Sequence, residues 1–291
     1  MRGKWNTLVG AGALTVFLLC RAASASAEAQ SGQQGQPPTQ QQPPADKDKQ
    51  PNPAPLSMDN APAAGPEEDS ASKTVQQTTD PNKRIQLAED FLKKYPQSRY
   101  RASMYQALVS GYFATQQVPK MLEAGEKEVE LNPNDAPVLA VMGQALARTY
   151  NAKAPDAAKQ LDKAEQYSKR AIEITPTLTK PENLSDEAFS NAKNDTLVMA
   201  HSGLGLVYIR RGKFSDAVPE LEQSVKADSH PEPDPVNYYL LGVADKQTSH
   251  FEAAAAAFAK CATVQSTLQA TCKSGAEDAK KQSSTQLSAP N

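Results

Sequence analysis

From Asp80 onward the apolar positions of the chain recur with helical spacing. Ile85, Ala88, Phe91 and Leu92 share one face. Asp80-Pro81 opens that segment as a capping acid followed by a first-turn proline, and Pro96 closes it. β-Branched alternation is absent and alanine is abundant, so the pattern predicts helices and no strands. The stretch "HSGLGLVYIRRGKFSDAVPELEQSVKAD", residues 201–228, keeps this spacing but sets Gly205 inside a helix. Glycine there costs roughly 1 kcal/mol relative to alanine, so packing must offset it.

The pattern repeats. His201, Leu204, Gly205 and Tyr208 are followed by Ala217 and Leu221, and Tyr238, Leu241 and Gly242 by Ala254 and Phe258 at the same offsets. Gly205 and Gly242 lie 37 residues apart, and the proline-rich loop "SHPEPDP" accounts for three of these. Tyr105, Leu108 and Tyr112 show the same spacing upstream, and Met142-Gly143 begins 34 residues after Leu108. Pro133 closes the first unit.

These residues resemble the tetratricopeptide repeat, a helix–turn–helix unit of about 34 residues. The resemblance implies an all-α solenoid, a right-handed superhelix of about four helix pairs over residues 79–265. It places Gly143, Gly205 and Gly242 where the second helix of a pair crosses the first, with Ala164, Ala217 and Ala254 as the small residues facing them. A larger side chain at such a glycine would push the helices apart. Val109 stands where the first copy should have glycine, Met121 where it should have alanine, and Asp245 where the last should have tyrosine. Two insertions break the register. One, near 150–160, reads as a lengthened second helix opening at Pro155; the other, 177–195, reads as a loop and a short helix starting at Ser185-Asp186-Glu187. Residues 266–283 carry Leu268, Cys272, Ala276 and Ala279 on one side and read as a capping helix, leaving 284–291 as a disordered tail.

The N-terminus has another character. Arg2 and Lys4, the apolar run Leu8 to Leu19 and the small residues "AASASA" at 22–27 read as a signal peptide over 1–27. An uncleaved membrane anchor is the alternative, although the run is short of the ~20 residues a span needs. Residues 28–78, rich in Pro and Gln and poor in large apolar residues, read as a disordered spacer. The "FLKKYPQSRY" segment at 91–100 is similar to the opening of several bacterial envelope repeat proteins, which fits export to the periplasm or outside the cell.

Charge narrows the partners. The chain carries a formal net charge of −2, and cleavage after residue 27 would remove three basic residues and no acid. A mildly acidic chain without a basic block argues against nucleic acid and anionic membrane as partners. Cys261 and Cys272 remain after cleavage. A bend near Gln265 and Ser266 would set them level across an antiparallel turn, which predicts a disulfide with Cα atoms about 5–6 Å apart. Two buried thiols are the alternative.

No convergent set of catalytic groups stands out, and CxxC, HExxH, GxSxG and a phosphate-cradling glycine loop are absent. No cofactor or metal is expected; a cluster of His230, Glu232 and Asp234 in a solvated loop is the nearest to one. The resemblance instead implies a concave groove lined by residues three before and one, four and five after each glycine. On this chain these include Gln106, Ser110, Phe113, Gln144, Arg148, Leu206, Ile209, Arg210, Tyr239, Val243 and Lys246, with Ala114, Ala140, Ala147, Ser202 and Gln247 completing the set. Chaperone-binding relatives clamp a C-terminal carboxylate with lysine and asparagine. Gln106 and Ser110, or Ala140 and Gln144, stand in those places here, so that ligand is not supported. Arg148, Arg210 and Lys246 share one register, suited to an acidic ligand or to ordinary helix C-terminal charge. The expected function is a non-catalytic scaffold of the cell envelope that binds a protein or peptide in its groove. The alternatives are an assembly subunit using its outer face or ends, and an enzyme of unrecognised type.

Overall fold

The computed structural model describes residues 64–288. The expected signal peptide, the expected spacer as far as residue 63, and residues 289–291 lie outside the described residues. Within them every regular element is helical. The helices are α1 (Pro66–Gln77), α2 (Pro81–Lys94), α3 (Arg101–Ala114), α4 (Val118–Leu131), α5 (Ala136–Arg148) and α6 (Ala157–Ile174). They continue with α7 (Asp186–Arg210), α8 (Phe214–Ala227), α9 (Pro235–Gln247), α10 (Phe251–Ala262) and α11 (Gln269–Ser288). From α3 to α10 they pack as consecutive pairs; α1 and α2 precede the pairs and α11 lies on α10.

Local chemistry sets where the helices begin. The carboxylates of Asp80, Asp135 and Asp234 accept from the backbone N–H of Lys83, Val138 and Val236 at 2.7, 3.1 and 2.8 Å. Proline occupies the first or second position of each of those helices, where its missing N–H costs nothing. Ser185 caps α7 through the N–H of Ala188.

Three sequence expectations need correction. Residues 66–77 are not spacer but helix α1. Glu67, Glu68 and Asp69 occupy its first turn, where they complement the helix dipole. Val75 and Ser72 are buried, and the Tyr100 hydroxyl donates to Asp69 at 2.6 Å. Residues 186–195 do not form a separate short helix. They are the first turns of a 25-residue α7 that runs unbroken into the Leu204-Gly205 motif, because Ala192, Thr196 and Ala200 are buried along it. Residues 284–288 belong to α11 rather than to a disordered tail. At the other insertion, 149–156 is a loop and α6 opens at Ala157.

The core is divided. One contiguous cluster runs from Val75 to Val207, spanning α1 to α7. Smaller clusters join α8 to α9 and α10 to α11. The expected disulfide forms across the α10–α11 turn, its Cα atoms 5.8 Å apart and both cysteines fully buried.

Candidate functional site

Two features fix the register of the pairs, and with it the face each side chain occupies. The first is the turn between paired helices. The N–H groups of Gln117, Lys213 and His250 donate to the carbonyls of Tyr112, Tyr208 and Asp245 at 2.8–2.9 Å. In each turn the preceding residue has positive φ: Gln116 at 58°, Gly212 at 71° and Ser249 at 64°. Asp245 therefore occupies the place that tyrosine holds in the other two turns.

The second feature is the glycine seat. A Cβ at Gly205 would lie 2.6 Å from Leu221 Cγ, one at Gly242 would lie 2.8 Å from the Phe258 ring, and one at Gly143 would lie 2.3 Å from Ser168 Oγ. The side chain filling each seat thus stands four residues after the expected alanine, which corrects the pairing of Gly205 and Gly242 with Ala217 and Ala254. The alanines are fully buried all the same. In the first pair the roles reverse: Val109 occupies the glycine position, and Gly125 occupies the position of Ser168, Leu221 and Phe258. A Cβ on Gly125 would run into Met142 of the next pair, 2.1 Å from its sulfur.

The fold is a solenoid of the tetratricopeptide type. No protein-family model and no curated protein matches the chain. Among solved structures the solenoid is similar to TTC0263, a thermophilic TPR protein of Thermus thermophilus, at 18% identity, covering 73% of this chain and 98% of that one, with a TM-score of 0.45. It is similar to PilW, a widely conserved type IV pilus biogenesis factor, at 16% identity, 76% and 93% coverage and a TM-score of 0.48. It is also similar to a MamA RS-1 ArsTM double mutant, at 15% identity, 68% and 94% coverage and a TM-score of 0.47.

The solenoid sorts the expected groove residues into three groups. Ser110, Gln144 and Leu206 are buried, as are Ala140, Ala147 and Ser202. Gln106 donates to the Asp135 carboxylate at 2.9 Å and so supports the α5 cap, while Arg84 reaches Ser110 from α2. The second group belongs to the C-terminal cap. Lys246 pairs with Asp278 of α11, and Tyr239 and Val243 pack against the cluster that α11 completes, with Tyr239 and Phe258 ring centroids 6.0 Å apart. Lys246 is thus committed to the C-terminal cap.

The third group reaches solvent: Arg148, Arg210 and Gln247 are exposed, while Phe113, Ala114 and Ile209 are part-buried, Phe113 against the α1–α7 cluster and Ile209 against the α8–α9 cluster. The Arg210 guanidinium lies 5.9 Å from the centroid of the Tyr150 ring, two residues beyond Arg148. Arg148 faces Asp234, the cap of α9, at 3.8 Å, so this pair spans from α5 to α9 past the intervening pair's first helix. Although the side chain is partly open to solvent, desolvation by the helices around it lowers the Arg148 pKa, opposed by Asp234. Tyr150 and Asp234 are residues the groove spacing missed; Asp234 lies in the "SHPEPDP" surplus and Tyr150 at the start of the 150–160 insertion.

Elsewhere several histidines, lysines and arginines pair with nearby carboxylates. His230 Nε2 lies 2.9 Å from Asp195 rather than joining Glu232 and Asp234, and His201 Nδ1 lies 2.7 Å from Glu220. Lys163 meets Glu126 at 2.6 Å, and Arg211 links Glu165 and Asp162 of α6 to the end of α7. Burial raises the Glu165 pKa, but hydrogen bonds from Lys169 and Arg211 outweigh it, for a net lowering. Among the described residues no group of three His, Cys, Asp or Glu side chains could hold a metal ion, and no helix is long and apolar enough to cross a membrane.

Proposed function

We propose that this protein is a non-catalytic scaffold of the cell envelope that holds a protein or peptide segment in the concave groove between α3 and α7. One observation carries the reading. Where most groove positions are buried or committed to neighbouring helices, Arg148 and Arg210 remain exposed and Phe113 and Ile209 partly so, with Tyr150 beside Arg210. Such an apolar and cationic surface, stacked from successive rigid pairs, suits recognition of an extended or helical segment. The envelope setting rests on the signal-like pattern at 1–27 and on a disulfide of the kind that persists in oxidising compartments.

Site-specific crosslinking in the producing cells tests this. A photo-crosslinker at Ile209 should capture a defined protein, and one at Lys163, among the ion pairs between α4 and α6, should not. Capture from Lys163 alone would move the interaction to the outer face and end the groove reading.

A further inference from the structure

Two departures from the repeat period meet at one place outside the groove. The insertion at 177–195 supplies the first turns of α7, and the surplus in "SHPEPDP" lies in the loop between α8 and α9. Between them is a cavity of about 440 Å³, lined by Ser185, Glu187, Asn191 and Asp195 from the start of α7 and by Ser229 and His230 from the loop. That volume falls in the range of small-molecule sites, roughly 300–1,000 Å³. Insertions in a repeat array often map to its binding face.

The loop is fastened across the cavity. His230 Nε2 lies 2.9 Å from Asp195 Oδ1. Asp228 accepts from the His230 N–H through Oδ1 and from the Asp234 N–H through Oδ2, at 3.1 Å each. Asp195 forms the floor, only 8% exposed. Among the described residues His230 engages its Oδ1, and its Oδ2 has no hydrogen-bond partner. Burial raises the Asp195 pKa, opposed by His230 and reinforced by Asp228. A buried carboxylate with an oxygen to spare gains from a cationic donor. Glu187, exposed at the rim, brings a second acid, and Asn191 and Ser229 bring neutral hydrogen-bonding groups. No lysine or arginine is among the lining residues, so the cavity opposes an anion.

We propose that this cavity binds a ligand carrying a primary ammonium, which donates to Asp195 Oδ2 at the floor while Glu187 faces its charge from the rim. An ammonium offers three donors in a compact group, matched here by carboxylate, amide and hydroxyl oxygens. The ammonium belongs to a free diamine or to the lysine side chain of a partner protein. The site stands apart from the groove and does not depend on it.

The test uses the full chain and isothermal titration calorimetry at low salt, with cadaverine, pentanediol and lysine blocked at its backbone amine and carboxyl as probes. The wild type should bind cadaverine about tenfold tighter than pentanediol. Asp195→Asn should weaken cadaverine binding by about tenfold and Glu187→Gln by about threefold, the latter with unchanged helicity because the residue is exposed. Glu277→Gln, which removes an exposed acid of α11, should leave the affinity as it was. Pentanediol matching cadaverine overturns the proposal, and so does either cavity variant binding cadaverine like the wild type. An equal loss in Glu277→Gln also overturns it, since the binding would then be a diffuse attraction to acidic surface. Blocked lysine binding as tightly as cadaverine supports the site with a protein side chain as occupant, and cadaverine binding about tenfold tighter supports it with a free diamine.

Discussion

A left-handed turn residue carries a cost unless it is glycine, and this solenoid meets that cost unevenly. Gln116 and Ser249 hold the same positive-φ position as Gly212. Gln116→Gly and Ser249→Gly should each stabilise the fold by up to about 1 kcal/mol, and Gly212→Ala should destabilise it by a similar amount, read by chemical denaturation. At the crossings Gly205→Leu and Gly242→Leu should each cost about 1–3 kcal/mol through overpacking, although leucine is the better helix former. A raised melting temperature in either would refute the close approach. Gly205 was legible in the sequence as a packing seat because the repeat isolates it. Its true neighbour, Leu221, was not, since which residue of the second helix fills the seat depends on the crossing angle. Asp245, which replaces the motif tyrosine, is pushed up to about 6 by burial and by Glu222, against an opposing pull from His250. An acid raised in the native state favours folding while protonated, so stability is fullest below the ordinary value near 4 and falls as pH rises to about 6. Asp245→Asn should therefore raise the melting temperature at pH 7 and leave it little changed at pH 4.

At the scale of the element, the disulfide clasps α11 onto α10, and Gly275 lets the Phe258 ring lie close against the cap. Replacing both cysteines by alanine should cost roughly 2–3 kcal/mol on the chain-entropy model. The loss should appear as earlier amide exchange in α10 and α11, with α3 to α6 protected as before. The cysteine pairing was readable because both residues sit a few positions either side of one bend. Helix α1 was not readable: with Val75 as its one large apolar residue it looks like its proline-rich surroundings, and its support comes from α2 and α3. For that reason limited proteolysis should leave the Thr78–Thr79 junction uncut. The long α7 was hidden likewise, because "TLTKPENLSDEAF" carries loop signals up to the Ser185 cap and the helix beyond it depends on buried contacts with its neighbours.

Across the whole molecule each pair mainly touches the next, as expected of a solenoid. Arg148 and Asp234 depart from this by pairing α5 with the cap of α9, and no local spacing announces such a contact, which is why sequence reasoning missed this partner of Arg148. Among the described residues both ends of the stack are covered by a helix with a polar outer side. Helix α1 turns Glu67, Ser70, Lys73, Thr74 and Gln77 to solvent at one end, and α11 turns Lys273, Glu277, Lys280 and Lys281 outward at the other. Between two such lids, a further pair fits only inside the described stack. Duplication of an internal pair would preserve both lids, whereas duplication at a terminus would strand a lid in the interior and break the stack. The two insertions obey that rule, since the loop at 149–156 and the extension that opens α7 both lie between internal helices.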